Sequence, residues 1–187
     1  MEALKKTLLA VSPLTGEALK NFMQAWQCWK KPKDYFLLRE HQVSDYFFFI
    51  HKGIARIYYL KGDKEITEWI AMENQFFLSI SSFFERTPSR LSIQTLEEAE
   101  VWGIHYNDLM KLAAAYHEVE TLLRKLVTLS LILSQHRMDS IQFETAQQRY
   151  DKLVKNQPQM IKRVPLTYIA SFLGITLETL SRIRSAR

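Results

Sequence analysis

Cysteine is nearly absent from this chain: Cys28 stands alone among 187 residues. A single thiol excludes an internal disulfide and any cysteine-built zinc or iron–sulfur centre within one chain, and it fits a reducing compartment. Glycine is scarce too. Five glycines lie singly at 16, 53, 62, 103 and 174, so no glycine-rich loop exists to cradle a phosphate. The five histidines, His41, His51, His105, His117 and His136, form no HxH or HxxxH pair, which removes the common metal-ligand spacings. No serine or cysteine sits in a nucleophile elbow. An enzyme, a metal or another cofactor is therefore not expected. The longest apolar run, 126–133, contains Thr128 and Ser130 and falls short of the ~20 residues a membrane helix needs. Lys5 and Lys6 precede too short an apolar stretch for a secretory signal. A cytoplasmic protein with no membrane partner is the expectation.

What the chain has is apolar surface and an uneven charge. Hydrophobic residues make up 47%, enough to bury one large domain or two small ones. The net charge of +5 lies entirely in the last part of the chain: from His136 onward nine Lys or Arg face four acids, while the preceding 135 residues carry sixteen of each. A basic end segment is the footprint of a polyanion partner, although it could also simply keep the protein soluble.

Residues 1–29 read as helical, with Leu4, Leu8 and Val11 on one stripe and Leu19, Phe22, Met23 and Trp26 on another, separated by the break at 13–16. From Tyr35 to about His105 the pattern turns to short aromatic and β-branched segments, closed every 8 to 12 residues by a glycine or charged turn. Lys61, Gly62 and Asp63 form one such hairpin turn. Strands at this spacing imply a small antiparallel barrel or roll. The aromatic run 46–49 suggests base stacking by a single-strand binder, but strand alternation places half of it in the roll core. Cys28, between Trp26 and Trp29, reads as packed rather than reactive.

Asn107 is placed to cap a short helix. A long one is expected over about 119–140, which would be ~33 Å in length. Val119, Leu122, Leu126, Leu129, Leu133 and His136 follow heptad spacing, with Leu123, Val127 and Leu131 beside them. Two stripes ask for two partners: the roll on one side and a twin helix across a two-fold axis on the other. A single broad stripe buried within a monomer is the alternative.

The stretch 166–184, LTYIASFLGITLETLSRIR, organises the rest. Ile169, Ala170, Phe172 and Leu173 give one helical face, Gly174 stops it, and Thr176 caps a second helix in which Leu177, Leu180 and Ile183 point inward. Glu178, Thr179, Ser181, Arg182 and Arg184 are left outward. This is the outline of a helix-turn-helix. A surface hairpin would more commonly carry Lys/Glu pairs.

Roll, long helix and terminal helix-turn-helix, in that order, resemble the CRP/FNR family (catabolite activator and fumarate–nitrate regulators). The similarity runs over nearly the whole chain and is sharpest in YIASFLGITLETLSRIR, which looks like that family's recognition signature in the Glu-Thr-Leu-Ser-Arg version of many Bacteroidetes members. The resemblance implies base contacts by Glu178 and Arg182, and base or phosphate contacts around Thr176, Thr179 and Ser181. The chemistry agrees, since Arg forks onto guanine, Glu accepts from cytosine N4, and hydroxyls serve either edge or phosphate. Relatives that bind a cyclic nucleotide carry a Gly-Glu pair and an Arg-Ser pair in the roll. Here Leu78 and Ser79 stand at the first position, and Ser89 and Arg90 at the second. Ser79 lacks the acidic group, and Arg90 is displaced by one residue, which in a strand reverses its face. Many relatives also continue into a wing, so Lys162, Arg163, Arg184 and Arg187 are expected to supply the phosphate grip.

The expected fold is α+β: an N-terminal antiparallel β-roll with flanking helices at 1–115, a dimerisation helix at 116–141, and a helix-turn-helix domain at 142–187. The expected function is a homodimeric, sequence-specific regulator of transcription on a palindromic duplex DNA site. Its candidate effector pocket lies at Leu78, Ser79, Ser89 and Arg90, for a small molecule not bound as a cyclic nucleotide usually is. The other reading is a ligand-sensing roll whose helical end meets a protein partner.

Overall fold

A computed structural model describes residues 1–185; Arg187, one of the expected phosphate contacts, lies outside the described residues. Among the described residues the chain is α+β, with eight antiparallel strands in two four-stranded sheets and helices on both outer sides.

Two helices, α1 (Glu2–Val11) and α2 (Gly16–Gln24), precede β1 (Trp26–Lys31). The expectation of helix through residue 29 is thus corrected at its end. Trp26 to Lys31 pair with β8 (Ala99–His105), where ladder hydrogen bonds and Trp26 burial replace a further helical turn. Cys28 is exposed on that edge strand rather than packed. The remaining strands are β2 (Phe36–Leu38), β3 (Tyr46–Lys52), β4 (Ala55–Lys61), β5 (Lys64–Ala71), β6 (Phe76–Phe77) and β7 (Ser92–Thr95). One sheet has the order β1-β8-β3-β6 and the other β2-β7-β4-β5. The hairpin at Lys61–Lys64 closes β4 on β5 as its turn residues predict.

Phe48, Ile50, Ala55, Ile57, Ala71, Ile93 and Val101 fill the space between the sheets. Phe47 and Phe49, on the other face of β3, pack under Leu4, Leu8, Phe22 and Leu109 from the helices. Alternation alone placed only half of the aromatic run inside. Because the first sheet is covered on both faces, Phe47, Phe48 and Phe49 are all buried. The β3–β4 corner needs Gly53, whose φ is +96° and whose missing Cβ would lie 2.8 Å from the Glu98 carbonyl oxygen.

The helix α3 (Ile80–Glu85) interrupts the roll, and α4 (Tyr106–Ala115) follows it. The cap of α4 is His105, whose Nδ1 accepts from the Asn107 N–H at 3.1 Å, rather than Asn107 itself. The long helix is α5 (His117–Phe143), about 40 Å at the α-helical rise. The rest is helical: α6 (Ala146–Asn156), opened by a Thr145/Gln148 capping box, α7 (Pro158–Arg163), α8 (Leu166–Phe172) and α9 (Leu177–Ser185).

This last unit does not stand free of the roll. Ile54, Ile70, Met72 and Leu96, on the outer side of the second sheet, share one core with Tyr150, Leu153, Met160, Ile169, Leu173 and Leu180. At roughly 25 cal/mol per Å2 of apolar surface, burying each such leucine or isoleucine contributes ~1.5–3 kcal/mol. The junction is thus held by the same force as either half.

Candidate nucleic-acid interface and roll cavity

The turn between α8 and α9 is built by few residues. Leu173 ends α8, the Gly174 N–H reaches the Ser171 carbonyl at 3.0 Å, and the Ile175 N–H reaches Ala170 O at 3.0 Å. Gly174 sits at φ +67°, a conformation that a side chain at this position would strain. Thr176 then caps α9 by accepting the Thr179 N–H at 3.1 Å. Leu180 is fully buried and Ile183 half-buried. Leu177 departs from the expected inner stripe: it is 42% exposed, since a first-turn side chain leans back past the helix end.

The opposite face of α9 is open. The Glu178 and Arg182 side chains are 80% and 72% exposed and lie 3.7 Å apart as an i,i+4 pair. An exposed pair of that kind is worth only ~0.3–0.5 kcal/mol, so little holds Arg182 back from a stronger acceptor. Ser181 and Arg184 are exposed beside it, Thr179 is half-buried, and Thr176 is exposed at the helix start. Lys162 is exposed in the last turn of α7.

Arg163 points elsewhere, which corrects its expected place among phosphate contacts. Its guanidinium donates to both Glu73 carboxylate oxygens, at 3.0 and 2.6 Å, and to the Glu97 carboxylate. The chain therefore spends this arginine on tying α7 to the roll. Hydrogen bonds to Glu73 and then Glu97 push its pKa up. Burial would raise the Glu73 carboxyl, but the Arg163 hydrogen bond and backbone N–H groups, Gly53's at 3.0 Å among them, outweigh it and hold it below the usual value.

Two more arginines that sequence reasoning passed over lie at the same junction. Arg56 is fully buried on β4. It donates to Glu65 at 2.8 and 2.9 Å and to Thr67 at 3.0 Å, and it stacks on Tyr58 and on Tyr168 of α8. Its sequence signal was a lone cation inside an apolar strand, IARIYYL. Arg137 of α5 stacks on Phe172, 4.3 Å from the ring centre. Desolvation lowers its pKa, with Glu68 acting in the opposite sense.

The heptad seam divides. Val119 and Leu122 are buried against the chain's own α1 and α2 side chains, which corrects their place at a dimer interface. Leu126 is half-buried, whereas Leu129 and Leu133 are 45% and 50% exposed and His136 is exposed. The apolar exposure continues at Leu131, Ile132, Met138, Ile141 and Phe143.

A cavity of about 670 Å3 opens at the roll mouth, and Leu78, Ser79, Ser89 and Arg90 all line it. Ser79 and Ser89 are buried and share a hydrogen bond of 2.9 Å, and Ser89 also bonds the backbone of Leu91. Arg90 is exposed. Ser130, Leu133 and Ser134 of α5 form the far wall, so Leu133 faces this opening as well as solvent. Glu68 and Trp69 of β5 also line it, and the Trp69 ring meets Phe172 of α8 edge-on at 6.2 Å. Among the described residues no His/Cys/Asp/Glu group suited to a metal ion is found, and no helix is long and apolar enough to cross a membrane.

Residues 29–116, β1 to the end of α4, match the cyclic nucleotide-binding domain family. No curated protein matches the sequence. Among solved structures, the chain is similar to FixK2 of Bradyrhizobium japonicum, with TM-score 0.72 and 20% identity over 86% of this chain and 83% of that one. It is similar to CLP of Xanthomonas campestris, a c-di-GMP-responsive global regulator, with TM-score 0.70 and 16% identity over 90% and 89%. The catabolite activator protein of Thermus thermophilus gives TM-score 0.60 and 18% identity over 96% and 85%. The roll with its C-terminal helices is thus a fold shared with these proteins.

Proposed function

We propose that the chain is a sequence-specific DNA-binding regulator of transcription that works as a homodimer, each subunit placing α9 in a major groove of a palindromic site. One observation carries the reading: the outer face of α9 offers Glu178, Ser181, Arg182 and Arg184 to solvent on a rigidly capped helix whose inner face is locked by Leu180. Fork donors, a carboxylate and hydroxyls are the groups that read base edges and phosphates. Thr176, Thr179 and exposed Lys162 complete the contact set, without Arg163. The neighbours in fold support the reading: CLP links cell-cell signalling to virulence gene expression, and the Thermus protein is a catabolite activator.

Dimerisation is assigned to the exposed half of α5, Leu126 to His136, with Leu129, Ile132 and Leu133 at its centre. A contiguous apolar helix face of this length is a surface that soluble monomers rarely leave bare. The division at 1–115, 116–141 and 142–187 is kept as one of roles, because the first and last segments share a core.

The roll cavity is proposed as an effector site for a molecule that does not sit as cyclic nucleotides usually do. A buried phosphate needs a charged, fixed partner. The two inner positions here are Ser79 and Ser89, bonded to each other, and Arg90, the cation among the lining residues, is exposed. CLP, similar in fold, answers to c-di-GMP. The reading is one of regulation rather than catalysis, in a protein assigned to the cytoplasm.

A gel-shift titration against pooled random duplexes at two salt concentrations tests the function. Retardation at low salt that weakens steeply as salt rises is expected. No retardation at low salt would overturn it in favour of a protein partner for the helical end.

A further inference from the structure

The closing rung of the β4–β5 hairpin sets Lys61 opposite Lys64. Both are exposed, and among the described residues neither has an ion pair. Like charges directly opposite on one rung cost stability. The adjacent carboxylate, Glu65, does not relieve them, because Arg56 holds it at 2.8 Å. Within the two-residue turn, Asp63 supplies one negative charge against the two lysines. A rung left in this state favours a partner that brings negative charge.

Side-chain hydrogen bonds tie that hairpin to α8, the helix that precedes α9. Ser171, in the last turn of α8, accepts the Thr67 N–H at 2.8 Å and donates to the Glu65 carbonyl at 3.3 Å. The C-terminal end of α8 is therefore stitched to β5 directly beside the hairpin tip. Three residues after Ser171 the chain turns at Gly174, and α9 starts from Thr176. The hairpin that carries the lysine pair is thus tied, through Ser171, to the segment that leads five residues later into α9. The N-terminal residues of a recognition helix are the ones that reach base edges, with the phosphate backbone passing on either side.

We infer that Lys61 and Lys64 form a second phosphate-contact element, in which the hairpin tip of the roll lies against the DNA backbone beside the groove that α9 enters. This rests on the DNA-binding reading above and extends it: the roll itself would touch the duplex. The occupant is a polyphosphate backbone because the tip offers two ammonium groups, which grip phosphate as point charges, while its exposed apolar side chain, Leu60, is aliphatic and gives a base no ring to stack on.

The test compares the full-length chain with Lys61→Gln/Lys64→Gln, Lys61→Arg/Lys64→Arg and Arg182→Ala, each titrated against the same duplex pool over a salt series. The Gln pair should bind roughly tenfold more weakly at 0.1 M salt, evenly across sequences, with a log–log salt slope shallower by about 1–2. Its urea midpoint should stay equal to or slightly above wild type, since a like-charge pair is removed. The Arg pair should keep wild-type affinity and slope. A Gln pair with unchanged affinity and slope overturns the inference while leaving DNA binding by α9 intact. If the unmodified chain itself retards no duplex, the underlying reading fails, and this inference with it.

Discussion

Replacing Arg163 by alanine should destabilise the protein without altering how its DNA affinity responds to salt. Arg163 makes charge-assisted hydrogen bonds to both oxygens of Glu73, at 2.6 and 3.0 Å, and to Glu97. A hydrogen bond to a charged group is worth ~1.5–3 kcal/mol. The three side chains are 29–35% exposed, so solvent screening reduces the sum toward the surface-pair range. The loss should come to ~1–3 kcal/mol. With a urea m-value of about 2 kcal/mol per molar, the midpoint falls by about 0.5–1.5 M. The pH dependence has a definite sign. Glu73 is held below the ordinary glutamate value, so the bridge contributes fully above about pH 4.3 and is lost as pH falls through the lowered native value. Mutant and wild type should differ at pH 7 and converge in acid. In parallel duplex titrations, Lys162→Ala should weaken all sequences evenly and flatten the salt slope by about 1, and Arg163→Ala should leave the slope alone. An unchanged urea midpoint with a flattened slope for Arg163→Ala would refute the assignment and return Arg163 to the phosphate grip.

Arg182→Ala should cost ~1–3 kcal/mol in binding and relax selectivity at one base position, read by competition among single-base variants of the site. Leu129→Glu should shift sedimentation toward the monomer with the fold intact, whereas Leu122→Ala should cost ~2–5 kcal/mol of stability and leave association unchanged, because Leu122 belongs to the subunit's own core. Gly174→Ala, with open space around it, should cost only the positive-φ strain of about 1 kcal/mol, and Gly174→Asn less. Gly53→Ala adds a clash with the Glu98 carbonyl and should cost about 2–4 kcal/mol in urea denaturation.

The roll and the C-terminal helices were legible because their signals are local. Alternating aromatics close at turns such as Lys61–Lys64, and Ile169, Ala170, Gly174 and Leu180 carry the helix spacing and its stop within twelve residues. Pairing partners were not local. The end of the first helical stretch became β1 because β8, some 70 residues later, offers a free edge. Val119 and Leu122 fit a dimer seam as well as an internal core, and only the folding back of α1 and α2 decides between them. Adjacent Lys162 and Arg163 look equivalent in sequence, yet Glu73 and Glu97 meet one of them. Arg56 is the clearest signal passed over, since a cation in mid-strand among Ile, Ala and Tyr had to be either strained or paired. The cavity positions Leu78, Ser79, Ser89 and Arg90 were legible only through the family resemblance, and α3, only six residues long, carries no periodicity to announce it.

Selection of bound duplexes from a random pool, with and without metabolite extract, tests the central claim most directly. Two copies of one half-site in inverted order, their centres about 10–10.5 base pairs or ~34 Å apart, are what a paired molecule with α9 turned outward must enrich. A pool that emerges with no shared sequence after repeated rounds at low salt would contradict the claim that Glu178, Ser181 and Arg182 read DNA.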